Sequence, residues 1–156
     1  MSFFLQIHRF HKKYTAQITS LLAPYELSNS NWSLLNYLVE KQITTTSQIA
    51  KYWDVEKPTV SANVKVLMQQ GLIQTKQGED KREKYLSLTE KGEKLHKKIS
   101  PEIKNLQNNL LSVLTEQQKS EIQQGLFDME VRLKEDYNEW SKATHMDEGL
   151  YYRIDY

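Results

Sequence analysis

Glu56-Lys57-Pro58-Thr59-Val60-Ser61-Ala62-Asn63-Val64-Lys65-Val66-Leu67-Met68-Gln69-Gln70-Gly71 is the stretch that decides the fold. Pro58 sits near a first helical position, where its missing N–H costs nothing, and Gly71 can supply the left-handed residue that closes a helix. The segment therefore reads as a helix from about Lys57 to Gln70. Advancing about 100° per residue from Val60 brings Val64, Leu67 and Met68 within about 80° of it, which marks them as the buried stripe. The opposite face holds Pro58, Ala62, Lys65 and Gln69, flanked by Thr59, Ser61 and Val66. That face is short in side-chain bulk and modest in charge, so it can come close to another surface.

Just upstream, Thr45-Thr46-Ser47-Gln48 is a capping box, in which a Thr hydroxyl and a Gln side chain satisfy otherwise orphaned amides. It opens a short helix to about Trp53, and Asp54-Val55-Glu56 makes the turn into the next one. Just downstream, Leu72 to Gln77 and Lys84 to Leu88 read as two short strands around the charged turn Gly78-Glu79-Asp80-Lys81-Arg82. Helix, tight turn, helix and charged hairpin is the order of a winged helix-turn-helix, whose second helix fills the major groove of DNA. Thr59, Ser61 and Lys65 can hydrogen-bond bases or phosphates there, and Pro58 and Ala62 can touch thymine methyls. Lys81 and Arg82 extend from the hairpin tip toward a minor groove, while Lys57 and Lys84 suit phosphate contacts. With Thr46 at the start of the preceding helix, the expected DNA-contacting set is Thr46, Lys57, Pro58, Thr59, Ser61, Ala62, Lys65, Lys81, Arg82 and Lys84.

Further out the pattern is helical on both sides. Phe3, Ile7, Phe10, Tyr14, Ile18 and Leu21 trace one face of a long first helix that Pro24 ends. Ser28 can cap a second, with Trp32, Leu35, Leu38 and Val39 on one face. Thr89 can cap a fifth, carried on by Leu95, Ile99, Ile103, Leu106, Leu110 and Val113, with Pro101 expected to kink it. Thr115-Glu116-Gln117-Gln118 repeats the capping box and opens a sixth, with Ile122, Leu126, Met129, Leu133, Tyr137 and Trp140 in line. Leu35, Ile49, Val60, Val64 and Leu67 already give the winged segment a core. The long apolar lines of the terminal helices would then be exposed in a monomer, and dimerisation is the simplest way to cover them.

Composition narrows the function classes. The chain has 156 residues, room for one domain with helical extensions, and its net charge is +1. The charge is unevenly placed: residues 45–98 carry 11 basic and 7 acidic side chains, while residues 99–156 carry 6 and 11. A basic middle is what a polyanion would face. The absence of cysteine removes disulfides and thiolate metal sites. His8 and His11 are spaced to meet one metal, but no nearby carboxylate pattern completes a site, so neither a metal nor a cofactor is expected. There is no nucleophile with a matched base and no glycine-rich phosphate loop, which speaks against an enzyme. The N-terminus lacks the apolar run of a signal peptide or membrane span, so a soluble, cytoplasmic protein is expected.

The chain closely resembles the MarR-type transcriptional regulators. The matching runs are Leu22-Ala23-Pro24-Tyr25-Glu26-Leu27-Ser28 ahead of Trp32 and Leu35, Ile49-Ala50, Pro58-Thr59-Val60-Ser61, and Leu67 followed by Gln70-Gly71-Leu72-Ile73. Past the hairpin come Asp80-Lys81-Arg82 and Leu88-Thr89-Glu90-Lys91-Gly92. The resemblance implies a mainly α fold with a small β-hairpin wing, a winged helix-turn-helix flanked by N- and C-terminal dimerisation helices. It divides the chain into a dimerisation helix and linker (1–28), the DNA-binding domain (29–95), C-terminal dimerisation helices (96–142) and a tail without assigned role (143–156). It also implies a homodimeric, ligand-responsive repressor on a pseudo-palindromic double-stranded operator, with Arg82 as the minor-groove contact. Regulators of this kind are often switched by small aromatic or lipophilic effectors held between the dimer helices and the winged domain, and His11, Tyr14 and Trp32 are the candidate liners here. The chain departs from the pattern at Ala62 and Val66, often basic in similar proteins, and at Asn63, where an apolar residue is usual. These departures shift expected affinity onto the wing and the backbone contacts. They also leave room for a different class, an interaction protein that keeps the winged fold but has lost DNA binding and holds another protein by its acidic, aromatic end (Asp147, Glu148, Tyr151, Tyr152, Asp155, Tyr156).

Overall fold

The structure, a computed structural model, describes residues 2–78 and 84–144, with side chains through Lys134. Six α-helices and three short strands run in the order α1 (Phe3–Leu22), α2 (Asn29–Lys41), β1 (Thr44–Thr45), α3 (Thr46–Trp53), α4 (Lys57–Gln69), β2 (Ile73–Gln77), β3 (Lys84–Leu88), α5 (Glu90–Leu111) and α6 (Glu116–Thr144). The chain divides into two compact units at Gln107/Asn108.

Most helix boundaries follow from local chemistry. Ser2 caps α1, and Pro24 sits at the start of the 3-10 turn Ala23–Tyr25 that follows it. At α2, Ser28 Oγ accepts from the Asn31 amide while Asn31 Oδ1 accepts from the Ser28 amide. The same reciprocal pair forms between Thr45 and Gln48 at α3 and between Thr115 and Gln118 at α6. Asp54, at φ 55°, closes α3 in the left-handed conformation that a short polar side chain tolerates. Gly71, at φ 70°, does the same after α4: the Leu72 amide reaches back to the Leu67 carbonyl at 2.9 Å and the Gly71 amide to that of Met68 at 2.9 Å. This is a Schellman closure with Leu67 and Leu72 both buried.

The core of the first unit is built where α2, α3 and α4 pack together over the sheet, from Leu34, Leu35, Leu38, Ile49, Val60, Leu67 and Leu86, with Leu22 of α1 and Ile99 of α5 joining it. The five core residues expected from the sequence are all buried.

Four expectations need correction. Met68 does not belong to the buried stripe: it is 42% exposed, because it flanks the stripe beyond the width that the sheet and α2 cover. Val39 is likewise 41% exposed, since α2 is buried through Asn31, Leu34 and Tyr37 as well as Trp32, Leu35 and Leu38, which leaves Val39 outside the contact arc. The wing is more than a hairpin. Thr44–Thr45 adds a third antiparallel strand, giving the order β1-β3-β2 with Thr44 opposite Leu86 and Ile73 opposite Leu88. A two-residue strand has no readable alternation and exists only because β3 is there to pair with it. Finally, α5 ends at Leu111 rather than running through Val113, which sits in the turn before the Thr115 cap.

Candidate nucleic-acid interface

α4 presents two unlike faces. Val60, Val64 and Leu67 are buried, whereas Lys57, Pro58, Thr59, Ser61, Ala62, Lys65, Val66 and Gln69 are all exposed. The chemistry of the exposed face is more restricted than its residue types suggest. Ser61 Oγ donates to the Lys57 carbonyl at 3.0 Å, so its proton is engaged within the helix and its free capacity is as an acceptor. Lys65 is the only cation in the middle of that face, and Lys57 stands at its N-terminal end. Lys84 is exposed at the first position of β3. Thr46, at the first position of α3, is half-buried. Lys81 and Arg82 lie outside the described residues.

Side chains tie α4 at its middle to α2, and at its C-terminal end to the connection between α1 and α2 and to α5. At the middle, Asn63 Nδ2 donates to the Thr59 carbonyl one turn back at 3.1 Å and Asn63 Oδ1 accepts from Asn31 Nδ2 at 3.0 Å. At its end, Gln70 Nε2 donates to the Glu26 carbonyl at 3.0 Å, and Lys91 Nζ donates to the Gln70 carbonyl at 2.6 Å.

The three residues singled out as effector liners come together. His11, Tyr14 and Trp32 line one cleft of about 530 Å³ between α1, α2, α3 and the Ile103–Gln107 turn of α5, with Asn36, Tyr37 and Trp53 also on its wall. Tyr14 stacks on Phe10 and its hydroxyl accepts from Gln107 Nε2 at 2.9 Å. Trp32 stacks face to face on His96, ring centroids 4.9 Å apart.

His96, a lone histidine, carried no signal in the sequence, yet among the described residues it is one of the buried polar side chains, with Asn31 and Thr44. Its Nε2 lies 3.1 Å from Asn36 Oδ1, and burial, with a smaller contribution from Lys104, holds its pKa below the usual imidazole value. Burial disfavours the charged ring, and a nearby ammonium adds to that. The Asn31–Asn63 pair was also not foreseen, although Asn63 stood out as a polar residue where an apolar one is usual. Among the described residues no cluster of three His, Asp or Glu is placed to hold a metal, and no helix is long and apolar enough to cross a membrane.

A helix-turn-helix followed by a β-hairpin that the preceding strand β1 extends to three strands, with one helix offering an exposed polar face, defines a winged-helix DNA-binding domain, and residues 27–92 match the winged helix DNA-binding domain family. The uncharacterized HTH-type transcriptional regulator YwoH of Bacillus subtilis is 33% identical over 114 residues, which cover 73% of this chain and 83% of YwoH. Among solved structures, the S. aureus MepR–DNA complex shares the fold with a TM-score of 0.78 at 22% identity, covering 85% of this chain and 96% of that one. Staphylococcus aureus MarR in complex with salicylate and kanamycin gives a TM-score of 0.74 at 27% identity, covering 85% and 91%. The chain belongs to the MarR family of winged helix-turn-helix transcriptional regulators.

Proposed function

We propose that the chain acts as a homodimeric, ligand-responsive repressor in the cytoplasm, reading a pseudo-palindromic operator through α4 and the wing. The observation that carries the DNA-reading part is the face of α4: Thr59, Ala62, Lys65 and Gln69 stand exposed while the stripe behind them is fully packed. Such a face is short enough to enter a major groove and too lightly charged to hold DNA alone. Lys57 and Lys84 supply phosphate contacts, and Arg82 at the wing tip supplies the minor-groove contact. That MepR has been solved with DNA supports the reading.

Dimerisation is supported by apolar side chains left uncovered at the chain's outer helices. Phe3, Phe4 and Phe10 of α1 and Leu126, Phe127 and Leu133 of α6 are all exposed. The division of labour expected from the sequence, with residues 1–28 and 96–142 dimerising and 29–95 binding DNA, is part of the same proposal. The effector is a small aromatic or lipophilic molecule in the cleft that His11, Tyr14 and Trp32 line; the salicylate bound by S. aureus MarR supports that class.

Two titrations test this. If Lys57, Lys65 and Lys84 of each protomer meet phosphates, affinity for operator falls roughly a thousandfold between about 50 and 200 mM salt; an affinity that barely moves contradicts the reading. Arg82→Ala weakens specific binding by about 1–3 kcal/mol, and an unchanged isotherm removes the wing from the mechanism.

A further inference from the structure

The recognition helix is held by polar side chains where packing alone would suffice. Asn31 is 5% exposed, and its Nδ2 hydrogen atoms have Asn63 Oδ1 to meet while its Oδ1 is taken by the Ser28 amide. Asn63 in turn grips the Thr59 carbonyl, one helical turn back on the edge of α4 that borders the exposed face. On the other side of the same connection, Asn29 Nδ2 reaches α1, at the Thr15 carbonyl and Thr19 Oγ1, both at 3.3 Å. The result is a polar brace from α1 through the α2 cap to the first turns of α4, with Gln70–Glu26 as a second strut at the helix end.

These side chains are an inefficient way to gain stability. Asn29 Oδ1 and Gln70 Oε1 are buried with no partner among the described residues, and a buried orphan acceptor has a real desolvation cost. Hydrogen bonds are directional, so a satisfied buried pair adds to packing a preference for one rotation and one register of a helix. We propose that Asn63, paired with Asn31, is a positioning residue for DNA reading: it sets the rotation of α4 about its own axis, and hence the angle at which Thr59, Ala62 and Lys65 meet the base edges. The inference rests on the DNA-binding reading above. Because the brace begins on α1 beside the cleft, whose wall includes Thr15 and Asn29, it also gives a displacement there a direct route to α4.

The test uses the full chain, a duplex enriched by the wild-type protein from a random-sequence library, and a scrambled duplex of the same length. The quantity read is the dissociation constant for the scrambled duplex divided by that for the enriched one, in which general electrostatic changes cancel. Asn63→Ala lowers that ratio about tenfold, the worth of one hydrogen-bonded contact, while affinity for scrambled DNA stays within about twofold. Asn31→Ala, which removes the partner from α2 and leaves the sequence of α4 untouched, lowers the ratio similarly, and the double variant lowers it no further than either single change. A folded Asn63→Ala protein with the wild-type ratio overturns the proposal, as does a folded Asn31→Ala protein that keeps it or a double variant whose loss is the sum of the two single losses. Should Asn63→Ala fail to fold, Asn63→Leu, which fills the site with apolar bulk, is read in the same way. If the wild-type protein itself enriches no duplex, the DNA-binding reading fails and the brace falls with it, a result distinct from a specific wild type with an indifferent variant.

Discussion

His96 shows how much a single side chain can carry that its neighbours in sequence do not announce. Its ring is buried against Trp32, and its lowered pKa makes neutral imidazole the folded-state form. At this site the unfolded chain takes up a proton near pH 6.5, before the folded one does, so the contribution of His96 to stability is constant above that pH. It declines as pH falls from about 6.5 toward the folded-state value, below which both states are protonated and the dependence ends. Thermal unfolding between pH 7.5 and 5 shows this loss in the wild type, and His96→Phe, which keeps a ring on Trp32 but cannot titrate, shows less of it. A second residue-scale expectation concerns Gly92. A Cβ there would stand 2.0 Å from the Leu72 carbonyl oxygen, a backbone atom that cannot step aside. Gly92→Ala is therefore expected to cost about 2 kcal/mol or more in chemical denaturation, whereas Gly71→Ala, strained only by its positive φ, costs about 1 kcal/mol. Neither His96 nor Gly92 was legible as a contact in the sequence, because both partners, Trp32 and Leu72, are chosen by tertiary packing.

At the scale of elements, what could be read from the sequence is what the chain decides locally. The caps at Ser28, Thr45 and Thr115 and the closure at Gly71 each use groups within a few residues of one another, so residue identity alone located them. Thr45→Ala should remove the hydroxyl that accepts from the Gln48 amide, leave the Thr45 amide still donating to the Gln48 side chain, and lower stability by about 1 kcal/mol, measured by urea denaturation with an unchanged m value. Strand β1 and the exposure of Val39 and Met68 were not legible, since each depends on how far a neighbouring element extends. The exposed face of α4 was legible, because helical periodicity sorts residues to faces whatever lies opposite. What periodicity did not show is that Ser61 has its proton bound within the helix and that Asn63 is tied to α2.

The winged DNA-binding domain lies within the first unit of the chain, and apolar side chains stand exposed on α1 and on α6. As a dimer it would present two copies of α4 related by a two-fold axis, which is why the operator is expected to be an inverted repeat. Analytical ultracentrifugation should give twice the chain's mass, and the double change Leu126→Glu with Phe127→Glu should move the protein toward monomer and weaken operator binding more than scrambled-DNA binding. The family assignment was legible from ordered short runs between Leu22 and Leu95, each carrying a turn, cap or core position that this fold requires. On the proposed function, a dimer of this chain reads sequence. Incubating the protein with random genomic fragments and sequencing those retained tests it most directly: the expected result is an enriched inverted repeat with half-sites about one helical turn apart. Retention of no preferred sequence by a folded, dimeric protein would contradict it and favour a winged-helix interaction protein instead.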